Sequence, residues 1–173
     1  ADLEGFETDL RWGLYFNAGK VCYAMSRVIV HESRHTELME RAIKVASDLN
    51  VGPGETLNTM AEGMGSMVSH GQRDRGLNMV KQAQDEGARL ATGGSAPNNA
   101  GAFLNPTVMD VTPDMTIARE EVFGPVLSIM KFSQDDEAIE IANSTEYGLV
   151  SGVFTTDLDR ANRAAQKLRA GQV

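Results

Sequence analysis

Residues 27–50 read RVIVHESRHTELMERAIKVASDLN. The opening RVIVHE is a short β-branched run that predicts a strand, because such side chains suit a pleated surface. Ser33 can then cap a helix in which Leu38, Ala42, Val45, Ala46 and Leu49 share one face, and NVGPG, residues 50–54, stops it. The same stretch contains HESRH, residues 31–35, a formal match to H-E-x-x-H, in which two histidines hold zinc and the glutamate acts as general base. That chemistry needs both histidines on one face of one helix, since only a helical turn brings positions i and i+4 to a common metal. Here His31 ends the strand and His35 lies beyond Ser33, while the remaining histidine, His70, is far along the chain. The zinc reading is set aside, and both histidines are expected to be exposed polar residues at a strand end.

Strand followed by helix is the unit that repeats outward from this stretch. Upstream, LEGFETDLRWGLYFNAG places Leu3, Phe6, Leu10 and Leu14 at helical spacing and stops at the turn-forming Asn17 and Gly19. Downstream, a helix is predicted from Gln72 to Glu86, with Leu77, Val80 and Ala83 on one side and Gly87 as its stop. ARLATGG reads as a short strand, FLNPTVMDV as an extended segment interrupted by Pro106, and PVLSIMKFS as a buried strand. Ser133 and Asp136 open a helix through Asn143, LVSGVFTT reads as another strand, and Leu158, Ala161, Ala165 and Leu168 mark a last helix. The cluster GGSAPNNAGAF, residues 93–103, is expected to be a surface loop. Strands alternating with helices of this length predict an α/β fold, a three-layer arrangement in which an open, twisted, mainly parallel sheet carries helices on both faces.

Composition narrows the function classes. The 173 residues suit one domain, and 24 acidic against 16 basic side chains give a net charge of -8, which argues against nucleic acid as a partner. No apolar run approaches the roughly 18 residues of a membrane span, so no membrane partner and a cytoplasmic setting are expected. The single cysteine, Cys22, excludes an intrachain disulfide and a thiolate metal cluster. That thiol serves either packing or chemistry. A thiol is a useful nucleophile only where positive potential or a base favours the thiolate, and Lys20, Arg27 and the free N–H groups of a turn are the local sources.

The surrounding residues FNAGKVCYAMSR resemble the catalytic cysteine signature of the aldehyde dehydrogenase superfamily. The resemblance continues in the family's order through MVSHGQ, EGARLATGG, FLNPTVMDVTPDMTIAREEVFGPVLSI and DEAIEIANSTEYGLVSGVFTTDLDRANRAAQKLRAGQV. It implies that Cys22 is the nucleophile, that Glu121 in EEVFGPV hydrogen-bonds the nicotinamide ribose, and that Phe123 packs near the nicotinamide. Asn17 is expected to support the cysteine turn. Lys20 departs from the usual glutamine, and its side chain is expected to run out to solvent.

The same resemblance implies oxidation of a small-molecule aldehyde to a carboxylate with NAD or NADP, through a cysteine thiohemiacetal and a thioester. Coenzyme A in place of water as acyl acceptor, and a non-catalytic module that kept the fold, stand as alternatives. Residues 1–173 are expected to form a partial catalytic domain. The family's cofactor-binding domain, its general-base glutamate, an asparagine oxyanion donor and its C-terminal oligomerisation strand have no counterpart here, nor does a G-x-G-x-x-G loop. No turnover is expected of this chain alone, and a homo-oligomer is expected of the full-length enzyme.

Overall fold

The computed structural model describes residues 3–57, 63–98 and 101–173. Helix α1 (Leu3–Leu10) loosens into one wider turn over Arg11–Tyr15 and then a tight turn over Phe16–Gly19. Strand β1 (Arg27–His31) and helix α2 (His35–Ser47) follow, the unit from which the sequence reading began. Short strands β2 (Asn50–Val51) and β3 (Gly63–Met64) pair in parallel as a separate ribbon. Helix α3 (His70–Asp85), strands β4 (Arg89–Thr92) and β5 (Thr107–Asp110), the short helix α4 (Thr116–Arg119), strand β6 (Val126–Phe132), and helices α5 (Asp135–Ala142) and α6 (Leu158–Lys167) complete the order.

The main sheet runs β1-β6-β5-β4. β1 and β5 both pair with β6 in parallel, and β4 joins β5 antiparallel, so the sheet is mixed with a parallel centre. Its middle strand explains itself: Val126 to Met130 are all buried, the near-continuous apolar run of a strand covered on both faces. α2 packs against β1, β4 and β5, α5 against β1 and β6, giving the α/β architecture with helices on both sides. Residues 93–98 and 101–103 form a loop as expected, and positions 99–100 lie outside the described residues.

Three sequence readings change. LVSGVFTT, residues 149–156, is not a strand; its ladder is a single parallel bridge between Val150 and Gln172. Strand propensity states only that a segment fits a pleat, and this one lies across a cleft from the free edge of β1 rather than against it. Leu149 and Phe154 consequently stand about half exposed. Ser33 is not the helix cap. It sits inside a tight turn, Glu32–Arg34, that His31 caps by accepting the Ser33 N–H at Nδ1, while α2 itself starts after Arg34 with no side-chain cap. His35 is not exposed either. At 6% exposure it faces inward, with Nε2 2.9 Å from Oδ1 of Asp110 on β5, whose other oxygen takes Arg89 Nη2. The two histidines of HESRH thus serve two different ends, a turn and a hydrogen bond from the core to β5.

Candidate active site

The residues Asn17, Ala18 and Gly19 carry φ values of 52°, 55° and 68°, three consecutive left-handed positions where only glycine is at ease. The chain therefore reverses sharply after Phe16 and delivers residues 20–25 to the surface. Cys22 is exposed at the crest of this turn. Its N–H donates to no acceptor among the described residues. The far side of the turn is closed by the Met25 N–H, which donates to the Gly13 carbonyl at 2.8 Å.

Asn17 is exposed, and its Nδ2 reaches the Lys20 carbonyl at 3.4 Å, a long bond that braces the turn only weakly. Lys20 does not run to solvent. Its Nζ donates to the Ser66 carbonyl at 2.6 Å, and desolvation by partial burial holds its pKa below the ordinary lysine value.

A second turn meets the first from the other side. A Cβ placed on Gly19 would lie 2.3 Å from the carbonyl oxygen of Gly124, so backbone touches backbone and the first turn has no room for a side chain there. Residues 121–125 contain Glu121, Phe123 and the Gly124-Pro125 pair that leads into β6. Phe123 also has positive φ, 53°, strained for an aromatic residue, and its ring is 38% exposed. What holds this conformation is the first part of α3. Gln72 Nε2 donates to the carbonyls of Val122 and Phe123, and Arg75 Nη1 donates to those of Glu121 and Val122. α3 itself starts where Ser69 Oγ accepts the Gln72 N–H.

Cys22 and Glu121 line one cleft of about 1310 Å³, which also takes in the free side of β1, residues 149–155 and parts of α5 and α6. This exceeds the roughly 300–1,000 Å³ of an ordinary small-molecule pocket. Glu121 is exposed, its N–H directed at the Tyr147 hydroxyl at 3.4 Å. Phe123 and Asn17 lie outside the cleft lining. The arrangement offers a surface thiol, unused backbone donor capacity beside it, an exposed carboxylate in the same cleft and an exposed aromatic ring two residues further on.

The sequence reading missed Gln72 and Arg75. GQRDR does place them three apart on one helix face, but nothing local connects that face to carbonyls 46 to 51 positions away. It also missed the Gly19–Gly124 approach, which is a property of two turns rather than of either sequence. Among the described residues, no group of three or more His, Cys, Asp or Glu side chains is placed to hold a metal ion, and no helix is long and apolar enough to cross a membrane.

Comparison with known proteins finds similar sequences and a similar fold elsewhere. The model of the aldehyde dehydrogenase family matches residues 1–173. A betaine aldehyde dehydrogenase of Brucella anthropi is 40% identical over 176 residues, which cover 99% of this chain and 36% of that protein. An aldehyde dehydrogenase of Talaromyces stipitatus is 41% identical over 182 residues, covering 100% of this chain and 35% of its own length. Among solved structures, the NAD+ complex of an aldehyde dehydrogenase from Bacillus cereus superposes with a TM-score of 0.92 at 39% identity, over 100% of this chain and 35% of that one. The chain spans about a third of the length of the relatives it matches.

Proposed function

Because this chain belongs to the aldehyde dehydrogenase family, we propose that it carries the nucleophile and part of the nicotinamide site of an enzyme that oxidises an aldehyde to a carboxylate. The observation that carries the reading is the contact of the two turns at Gly19 and Gly124, which sets Cys22 and Glu121 on one cleft.

In this reading the Cys22 thiolate adds to the aldehyde carbon, forming the C–S bond of a thiohemiacetal and moving the carbonyl π pair onto oxygen. The Cys22 N–H, free of other acceptors among the described residues, donates to that oxygen. One such preorganised donor contributes about 3 kcal/mol. When bound, NAD or NADP supplies the hydride acceptor that leaves the substrate carbon at the thioester level. Water then adds to the acyl carbon, the C–S bond breaks, and the carboxylate departs as Cys22 is released.

The chain's residues suit such a cofactor. The exposed Glu121 carboxylate can accept hydrogen bonds from ribose hydroxyls, and the exposed Phe123 ring offers a flat apolar face beside it. Gln72 and Arg75 keep both in place by occupying the carbonyls between them. This reading takes residues 1–173 as the catalytic portion of a larger, cytoplasmic, homo-oligomeric enzyme whose general base and dinucleotide-binding region lie in other residues.

The test is aldehyde-dependent reduction of NAD or NADP by a polypeptide that joins this segment to a family dinucleotide-binding region. Cys22→Ser should abolish turnover. Glu121→Gln should raise KM for the nucleotide while leaving Cys22 reactive. Undiminished oxidation by Cys22→Ser would refute the reading.

A further inference from the structure

The cysteine turn is held by few bonds of its own. Its internal contacts are the Ala24 N–H to the Val21 carbonyl at 3.0 Å, the Lys20 N–H to the Asn17 carbonyl at 3.2 Å and the Asn17 side chain to the Lys20 carbonyl at 3.4 Å. Two non-glycine residues in left-handed conformation add strain that something outside must balance. The shortest polar contact at the turn is the one that leaves it, from Lys20 Nζ to the Ser66 carbonyl at 2.6 Å.

Ser66 is a firm anchor. The next residue, Met67, is buried, and its N–H donates to the Ala102 carbonyl at 2.8 Å. The Met67 methyl lies 3.1 Å from where a Cβ on Gly124 would stand, so this segment also backs the Glu121–Pro125 turn. The Lys20 ammonium forms no ion pair among the described residues. Its charge is spent on a neutral carbonyl, a geometry in which a charge-assisted bond is stronger than a neutral one.

We propose that Lys20 is a positioning residue, which ties the Cys22 turn through the Ser66 carbonyl to the segment supporting the nicotinamide-side turn. Its bearing on catalysis rests on the proposed role of Cys22; the tie itself does not. Residues 20–25 are suspended between two anchors, Lys20 to Ser66 on one side and Met25 to Gly13 on the other, with the thiol between them. Removing the first leaves the Lys20 end of the segment held only by backbone contacts. A glutamine, shorter and uncharged, could not reproduce the contact at equal strength.

The experiment compares the 173-residue chain with Lys20→Met and Lys20→Arg by hydrogen–deuterium exchange and by alkylation of Cys22 with iodoacetamide, followed by mass. In Lys20→Met, exchange should rise roughly tenfold over residues 20–25 and 66–67 together, the scale of losing one charged hydrogen bond. It should be unchanged in β6, and Cys22 alkylation should change by severalfold. Lys20→Arg, which keeps a charged donor, should restore exchange to within about twofold. Wild-type exchange in Lys20→Met, a rise spread evenly over the chain, or failure of arginine to restore protection would each overturn the proposal. These outcomes are independent of turnover, so loss of the tie and failure of the Cys22 mechanism are read separately.

Discussion

Gly19 and Gly124 stand so close that a Cβ on the first would lie 2.3 Å from the carbonyl oxygen of the second. The cysteine-bearing turn and the turn holding Glu121 and Phe123 are therefore one structural object, joined through backbone. Gly19→Ala would add both the strain of a left-handed alanine and a clash with an unyielding carbonyl. It should destabilise the chain by roughly 2 kcal/mol or more, measured by urea unfolding. Gly54, where an added Cβ would meet no atom within 4 Å, is the control: Gly54→Ala should be close to neutral.

Gln72→Leu and Arg75→Met should loosen the turn that holds Glu121 and Phe123 without unfolding the domain. Each removes a donor from the carbonyls of residues 121–123, so exchange over 121–124 should rise by roughly fivefold to tenfold. The amides of β6 should keep their protection. A rise in β6 equal to that at 121–124 would show that α3 supports the sheet and not the turn.

The hydroxyl of Tyr15, one residue before the strained turn, is buried without a hydrogen-bond partner among the described residues, and burial pushes its ionisation far above the ordinary range. An unpaired buried hydroxyl is a net penalty, so Tyr15→Phe should stabilise the chain by about 1 kcal/mol. Destabilisation of that size would mean the hydroxyl is paired in solution.

The start of α5 should govern part of the acid sensitivity. Glu137 is held below its ordinary carboxylate pKa by the Ser133 backbone N–H first, then by the Ser133 hydroxyl and the Gln134 N–H. A depressed folded pKa means that its contribution is fully present above the unfolded value of about 4.5 and is lost as pH falls through the lower folded value. Between pH 7 and pH 3 the melting temperature should fall less in Glu137→Gln than in the wild type. Parallel curves would remove Glu137 from the account.

Much of the fold was legible because its signals are local and periodic. The spacing of Leu38, Ala42, Val45 and Ala46 fixes the buried face of α2, and the run PVLSIM reads as a covered strand. Residues 149–156 were misread for a physical reason. Valine, phenylalanine and threonine there state a preference for extended backbone, whereas a strand exists only where a neighbour takes its hydrogen bonds. His35 was misjudged in the same way, since the Asp110 that draws it inward is 75 positions away. At the site, Cys22, Glu121 and Phe123 were marked by resemblance, and the meeting of the two turns that carry them came from Gly19, Gly124, Gln72, Arg75 and Lys20. None of those contacts has a sequence signature, because each joins segments distant along the chain.

The central claim is that the fold makes Cys22 a nucleophile, and acyl transfer measures it most directly. With p-nitrophenyl acetate, attack by the thiolate forms an acyl–sulfur bond and expels p-nitrophenolate, so acetyl-Cys22 can be timed by mass at neutral pH. The account predicts faster acylation of Cys22 in the folded chain than in the same chain unfolded in urea, with no such adduct in Cys22→Ala. Equal or slower acylation in the folded chain would contradict it and leave Cys22 an ordinary surface thiol.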